Sequence, residues 1–309
     1  MATIQPIQSS QIAPSPAIEL TPELTRKRRS QGRIIFDRFV RNKAAVVGII
    51  VLAIMVLAAV FVPFLDHHDP NAYNVQLQNA GPSATYWLGT DDLGRDEFAR
   101  LLYGARVSLT VGVVAMLMTI AIGVTVGALA GYYGGWIDNL LMRITDGFLA
   151  VPFLIWLFTV GALFSDGSVR DIVIIIAVFS WAGAARIVRG EFLGLKEREF
   201  LLAARTLGAG DLRLMFRHIL PNAIGPITVA ATLAVGNNII AESILSFFGF
   251  GLNPPTSSWG TMLNDSQSFI ATDPLLVWAP GLAILITVLC FNLMGDGLRD
   301  ALDPYMTER

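Results

Sequence analysis

Residues 44–65 carry no charged side chain and, at the standard rise, form a helix about 33 Å long. A helix apolar on every side is stable only where its whole surface is out of water, and this length covers the roughly 30 Å hydrocarbon core of a bilayer. Five further apolar runs follow, at 107–132, 148–164, 172–188, 225–248 and 275–293. With 54% hydrophobic and 15% charged residues, the chain has too little polar surface for a soluble globule. It reads as an all-α integral membrane protein with six transmembrane helices and the lipid bilayer as its medium.

The net charge of −2 conceals a strong sorting of charge along the chain. Residues 1–31, rich in Ser, Pro and Gln, read as a disordered tail. Arg26, Lys27, Arg28, Arg29, Arg33, Arg38, Arg41 and Lys43 then precede the first span. Beside a membrane helix this cluster fits anionic lipid better than nucleic acid, and the apolar run after it is too long for a signal peptide. With the N-terminus in the cytoplasm, six spans put 18 of the 22 Lys and Arg on that side and leave Arg95, Arg100, Arg106 and Arg170 outside. That is the positive-inside pattern, and it places both termini in the cytoplasm.

The domain order that results is a tail (1–31), an N-terminal region with one span and a long extracytoplasmic loop (32–106), a five-span core (107–300) and a C-terminal tail (301–309). Within the core, a cytoplasmic loop occupies 190–222. Gly123, Gly127 and Gly131 form a stripe suited to close internal helix packing, and Pro152 is expected to kink the third span. The amphipathic segment around Trp136, Leu140 and Ile144 either lies at the interface or starts that span. Glu242, ionisable within the fifth span, is a candidate for the substrate path or a receptor contact. Asp91, Asp92 and Trp259 are candidates for the same roles, the stretch 91–97 being read as a solvated face. His67-His68, flanked by Asp66 and Asp69, is read as interfacial, because adjacent side chains diverge too far to share a metal. The single Cys290 lies in an apolar run and excludes an intrachain disulfide.

The loop at 198–222 reads as two short amphipathic helices around a glycine turn. Phe200, Ala204 and Leu207 share one face of the first. Gly208 suits a left-handed backbone just past its end, and Asp211 suits the N-cap of the second. Leu212, Met215, Phe216, Ile219 and Leu220 form the second stripe, which Pro221 is expected to end. There is no Gly-x4-Gly-Lys-Ser/Thr phosphate loop, and no His-Glu-x-x-His, Gly-x-Ser-x-Gly or Cys-x-x-Cys, so the chain carries neither an ATP cradle nor a catalytic set. A secondary transporter would need its own ion site and usually an internal repeat, and neither is evident.

Ala203-Ala204, Gly208 and Leu220-Pro221 are similar in spacing to the coupling loop of ATP-binding-cassette import permeases. Leu88-Gly89-Thr90-Asp91-Asp92-Leu93-Gly94-Arg95-Asp96, Tyr103-Gly104-Ala105-Arg106, Gly131-Tyr132-Tyr133-Gly134-Gly135, Pro254-Pro255-Thr256 with Ser258-Trp259-Gly260, and Asn292-Leu293-Met294-Gly295-Asp296 extend the resemblance. Together they resemble the second permease subunit of dipeptide and oligopeptide importers. That resemblance implies a type I importer permease in the bacterial plasma (inner) membrane, multi-pass and not an enzyme. Its implied partners are a sister permease in a heterodimer, two ATPase subunits and an extracytoplasmic peptide-binding protein. ATP and Mg would sit on the ATPases, with no cofactor in this chain. The coupling residues it implies are Glu199, Leu202, Ala203, Ala204, Leu207, Gly208, Ala209, Gly210 and Asp211. The family's Glu falls on Leu202, and Glu199, one turn earlier, is the nearest substitute. Substrates of the family include dipeptides, longer peptides, glutathione and nickel complexes.

The charge sorting makes a direct prediction. A Gly210→Cys thiol should react with a membrane-impermeant maleimide only in inside-out vesicles, and labelling in intact cells would overturn the orientation.

Overall fold

A computed structural model describes residues 31–65 and 68–302; the tail expected at 1–30, the pair Asp66-His67 and residues 303–309 lie outside the described residues. α1 (Gln31–Arg41) is the basic leader helix. Asn42 then takes an extended backbone and caps α2 (Lys43–Val60), its side chain accepting from the Ala45 N–H at 3.2 Å. α3 (Glu97–Tyr133) begins ten residues before its apolar run, because Asp96 caps it there. The Asp96 carboxylate accepts from the N–H of Phe98 at 2.9 Å and of Ala99 at 3.3 Å. Then follow α4 (Gly135–Ala150), α5 (Phe153–Phe164), α6 (Val169–Lys196), α7 (Glu199–Thr206), α8 (Asp211–Phe247), α9 (Trp259–Asp265) and α10 (Leu275–Leu302). Five of these are long and apolar enough to cross a membrane, and α4 with α5 make a sixth if the pair is counted as one span.

That pair corrects the expected third span. The proline does more than kink it: α4 and α5 meet at 82° across Val151 and Pro152. Proline has no N–H, and its ring collides with the carbonyl four residues back, here that of Phe148. The Trp156 indole N–H takes over that carbonyl at 3.3 Å. α5 has 12 residues, about 18 Å, and cannot cross the bilayer core alone.

Pro221 does the opposite of what its chemistry suggests. The expected second loop helix does not end there; it is the first part of α8, which continues unbroken for 37 residues. Residues Leu214–Ile219 form a π-helical turn, in which the Leu220 N–H donates to the Met215 carbonyl. Wider bonding ahead of Pro221 gives its ring room and carries the helix through. Only part of the expected stripe is buried: Met215 and Ile219 face the core with Leu214, whereas Leu212 and Phe216 are exposed.

α3 and α6 form the most extensive helix pair, with α8 packed against both and α10 against α8; α2 lies outside on α10. The glycine stripe makes the first pairing possible. A Cβ built on Gly123 would lie 2.7 Å from that of Ala184, and one on Gly131 would lie 2.7 Å from that of Phe192. The stripe therefore serves internal packing. At the α3–α4 corner Gly134 and Gly135 take φ of 68° and 56°, a left-handed turn that other residues resist.

A Gly127→Val side chain would meet Val188 Cβ at 2.8 Å and the Arg189 nitrogen at 3.0 Å. Overpacking of this kind costs about 1–3 kcal/mol. Its membrane abundance and thermal midpoint in detergent should fall, while Gly147→Ala, with nothing within 4 Å, should match the parent. Parental stability for Gly127→Val would refute the role of the stripe.

Candidate functional site

α7 and the turn after it form a surface that the other described residues leave open. Leu201 is buried and Ala204 and Ala209 pack against the core beneath, which seats α7 on the ends of α3, α6 and α8. Gly208 has φ of 84°, as its position past the helix leads one to expect. On the outer side Phe200, Leu202, Leu207, Leu212 and Phe216 are exposed, Leu207 at 88%. Glu199, Ala203, Gly208, Gly210 and Asp211 are exposed beside them. Phe200 and Leu207 thus face away from Ala204, so the first expected apolar face is divided between the core and the outside. An apolar patch rimmed by polar residues is the usual mark of a partner or membrane contact.

Hydrogen bonds lock this surface to the membrane helices. The Tyr132 hydroxyl, at the end of α3, donates to Asp211 Oδ1 at 2.6 Å and accepts from Arg205 at 3.3 Å. Lys196 Nζ donates to the Tyr132 carbonyl at 2.5 Å. Arg189 of α6 holds Asp138 of α4 through two bonds, at 2.5 and 2.6 Å. Asp211 is the first helical residue and not the N-cap, which is Gly210. Its carboxylate is engaged by Tyr132 and still lies in the first turn, where a negative charge is favoured.

The opposite end of the bundle holds two polar nodes. In the first, Asp91 Oδ2 accepts from Arg95 Nε at 2.6 Å and pairs with Arg100, and both guanidiniums also reach Asp265 Oδ2, at 3.0 and 2.8 Å. Asp91, Arg95, Asp96, Glu97 and Arg100 are buried, so the stretch read as a solvated face is an interior ion network. Asp92, half-buried beside it, has its pKa raised by burial and by neighbouring Asp91. His68 Nδ1 lies 2.8 Å from the Asp96 carboxylate, and its ring stacks on Tyr86.

The second node is centred on Glu242, which is 0% exposed. Its Oε1 accepts from the hydroxyls of Ser246 at 2.8 Å and Ser258 at 2.7 Å, and its Oε2 from Ser108 at 3.1 Å. Ser108 Oγ in turn accepts the Trp259 backbone N–H at 3.2 Å, and the Trp259 indole donates to the Leu101 carbonyl at 3.2 Å. These bonds join α3, α8 and the start of α9. Glu242, Asp91 and Trp259, the candidates for the path or a receptor contact, are buried within this subunit. Asp92 alone of that group is partly open. Sequence reasoning missed Asp265, Ser108 and Ser258; a serine in an apolar run, two residues after Arg106, gave the only hint.

A recess of about 500 Å³ opens beside the α4–α5 break. Its lining includes Thr119, Pro152, Ser180, Asn237 and Asn238, and it was not foreseen from the sequence.

Residues 123–308 match the family described as the binding-protein-dependent transport system inner membrane component, and residues 30–82 match the N-terminal TM domain of oligopeptide transport permease C. Over 277 residues the chain is 43% identical to the dipeptide transport system permease protein DppC of Alkalihalophilus pseudofirmus, spanning 90% of this chain and 91% of the relative. It is 42% identical to the glutathione transport system permease protein GsiD of Pectobacterium atrosepticum, across 89% and 92% of the two chains. Identity to the oligopeptide transport system permease protein OppC of Bacillus subtilis is 41%, across 91% and 92%. Among solved structures, a chain of the MetNI methionine ABC transporter, in inward-facing conformations, aligns with a TM-score of 0.56 at 19% identity. The alignment covers 67% of this chain and 98% of that one, and the likeness is one of fold.

The Glu242 node separates a structural role from a path role. Glu242→Gln keeps the volume and an acceptor, and should accumulate and unfold like the parent. Glu242→Ala leaves buried serine hydroxyls unpartnered, each costing about 1–3 kcal/mol, and should lower the thermal midpoint and the abundance sharply. A stable, abundant Glu242→Ala subunit that fails only in transport would contradict this assignment.

Proposed function

The chain belongs to the family of binding-protein-dependent transport system inner membrane components, and from that premise we propose that it forms half of a translocation pathway for peptides. It is a permease subunit of an ATP-binding-cassette importer, a multi-pass protein of the bacterial inner membrane and not an enzyme. Importers of this kind work with ATPase, permease and binding-protein partners. The finer assembly we infer is a heterodimer with a sister permease, two ATPase subunits on the cytoplasmic side and an extracytoplasmic peptide-binding protein. ATP and Mg belong to the ATPases, and this chain needs no cofactor of its own. The names of the relatives favour peptides, since glutathione is itself a short peptide.

One observation carries the coupling assignment: the exposed apolar surface on 198–221, held by Tyr132, Lys196 and Arg205 to the ends of α3 and α6. The ATPase contact is assigned to its outer side, with Leu202 supplying an apolar contact where the family has a Glu, and Glu199 exposed one turn away. Ala203, Gly208 and Gly210 keep the surface low enough for close approach. Ala204 and Ala209 support it from beneath.

Removing about one buried leucine from such a contact loses roughly 1.5–3 kcal/mol, or about tenfold or more in binding. Leu207→Asp and Phe216→Asp should therefore lose co-purification of the ATPases and peptide uptake, with membrane abundance unchanged because both sites are exposed in the subunit. Retention of ATPase subunits and parental uptake by both variants would move the coupling element elsewhere.

A further inference from the structure

Two features set the recess at the α4–α5 break apart from ordinary packing voids. Its volume, about 500 Å³, lies within the range of small-ligand sites. It is also lined by a residue whose polar group has no bonding partner among the described residues. Thr119 lies near the middle of α3 and is 2% exposed, and its hydroxyl has no partner among the described residues. At this depth an unsatisfied hydroxyl is costly, and lipid offers it no relief. Asn238, buried on the facing side of α8, donates to the Gly112 carbonyl at a long 3.5 Å. Its neighbour Asn237 is open to the recess.

The backbone adds to this set. The last carbonyls of α4 have no continuing helix, because Pro152 supplies no N–H and the chain turns by 82°; of them, that of Phe148 is taken by the Trp156 indole. At the start of α5 the Ile155 N–H donates to the Pro152 carbonyl at 2.9 Å, while those of Phe153 and Leu154 precede the first helical bond. Non-helical backbone at membrane depth is tolerated where it lines a cavity. No lining residue is ionisable, while Phe148, Phe153 and Phe179 supply apolar walls. Hydroxyl, carboxamide and free backbone groups, without fixed charge, match the alternating donors and acceptors of a peptide main chain and leave side-chain charge unread.

We propose that this recess is a way-station in the pathway that binds the main-chain amides of the passing peptide, with Thr119, Asn237 and Asn238 as its polar contacts. The proposal deepens the peptide reading above and rests on it. The Thr119→Val variant is the sharp test, because a hydroxyl with no partner in the fold contributes nothing to its stability when replaced by a methyl of similar size. The probe is tri-alanine, taken up by the assembled complex with its binding protein in proteoliposomes. Thr119→Val should slow uptake about two- to tenfold, the worth of one neutral hydrogen bond, with its sister permease and ATPases still co-purifying. The same factor should hold for tripeptides carrying a central Glu or Lys, since the contacts read the main chain. Asn237→Trp, which fills the recess, should reduce uptake further. Thr125→Val, on the exposed side of α3 where its hydroxyl bonds the Ala121 carbonyl, should transport like the parent. Parental uptake by Thr119→Val overturns the proposal, whatever Asn237→Trp does. A dependence of its effect on the central side chain's charge also overturns it. Failure of the parental complex to import tri-alanine would overturn the peptide reading, and this inference with it.

Discussion

Lipid tails are as apolar as leucine, so two hydrophobic helices in a bilayer gain little by merely hiding from the solvent around them. What they gain must come from contact, and contact is closest where one helix has no side chains in the way. Gly123, Gly127 and Gly131 bare one line of α3, and Ala184, Ala185, Val188 and Phe192 of α6 fill it. The other placements follow from that closeness. It brings Lys196 to the Tyr132 carbonyl, and Tyr132 then fixes Asp211 and Arg205. α8 lies against both helices of the pair and completes the frame.

The spans were legible because a long apolar run has few other fates in a chain this hydrophobic. Their ends were not, since helix caps lie outside the apolar run. Asp96 starts α3 in mixed sequence, and only the bonds of its carboxylate reveal it. The two prolines show the limit most clearly. Pro152 divides a span and Pro221 does not, though both follow helix-forming residues. The difference is a π-turn ahead of one and a cavity beside the other, and neither has a local sequence signal. Gly208 was readable because a left-handed residue past a helix end is a backbone requirement, independent of the rest of the fold. The buried charges were misread for the opposite reason. Asp265, which answers Arg95 and Arg100, lies 170 and 165 residues downstream of them, and Ser108 lies 134 residues before Glu242.

α8 touches three of the candidate sites in turn. It begins at the exposed surface with Asp211, passes the recess at Asn237 and Asn238, and is pinned at Glu242 to α3 and α9. Treated as a rigid rod with Glu242 as its fixed point, it has about 46 Å of lever towards the loop and about 7 Å to Asn237. A displacement applied at the loop would reach the recess reduced to about one-sixth, so a 6 Å movement there shifts Asn237 by about 1 Å. Tilt of α8 alone is therefore a weak way to reshape the recess. The opposite wall is built differently. α4 is tied to α6 by the pairs Asp138–Arg189 and Asp146–Arg186, whereas α5, beyond the break, meets α6 and α8 through packing. A wall joined to its anchored half by two non-helical residues can change angle without breaking a helical hydrogen bond. Within this subunit the size of the recess is set at Val151 and Pro152 more than by α8, and the same proline that deprives α5 of a full span gives the recess its adjustable side.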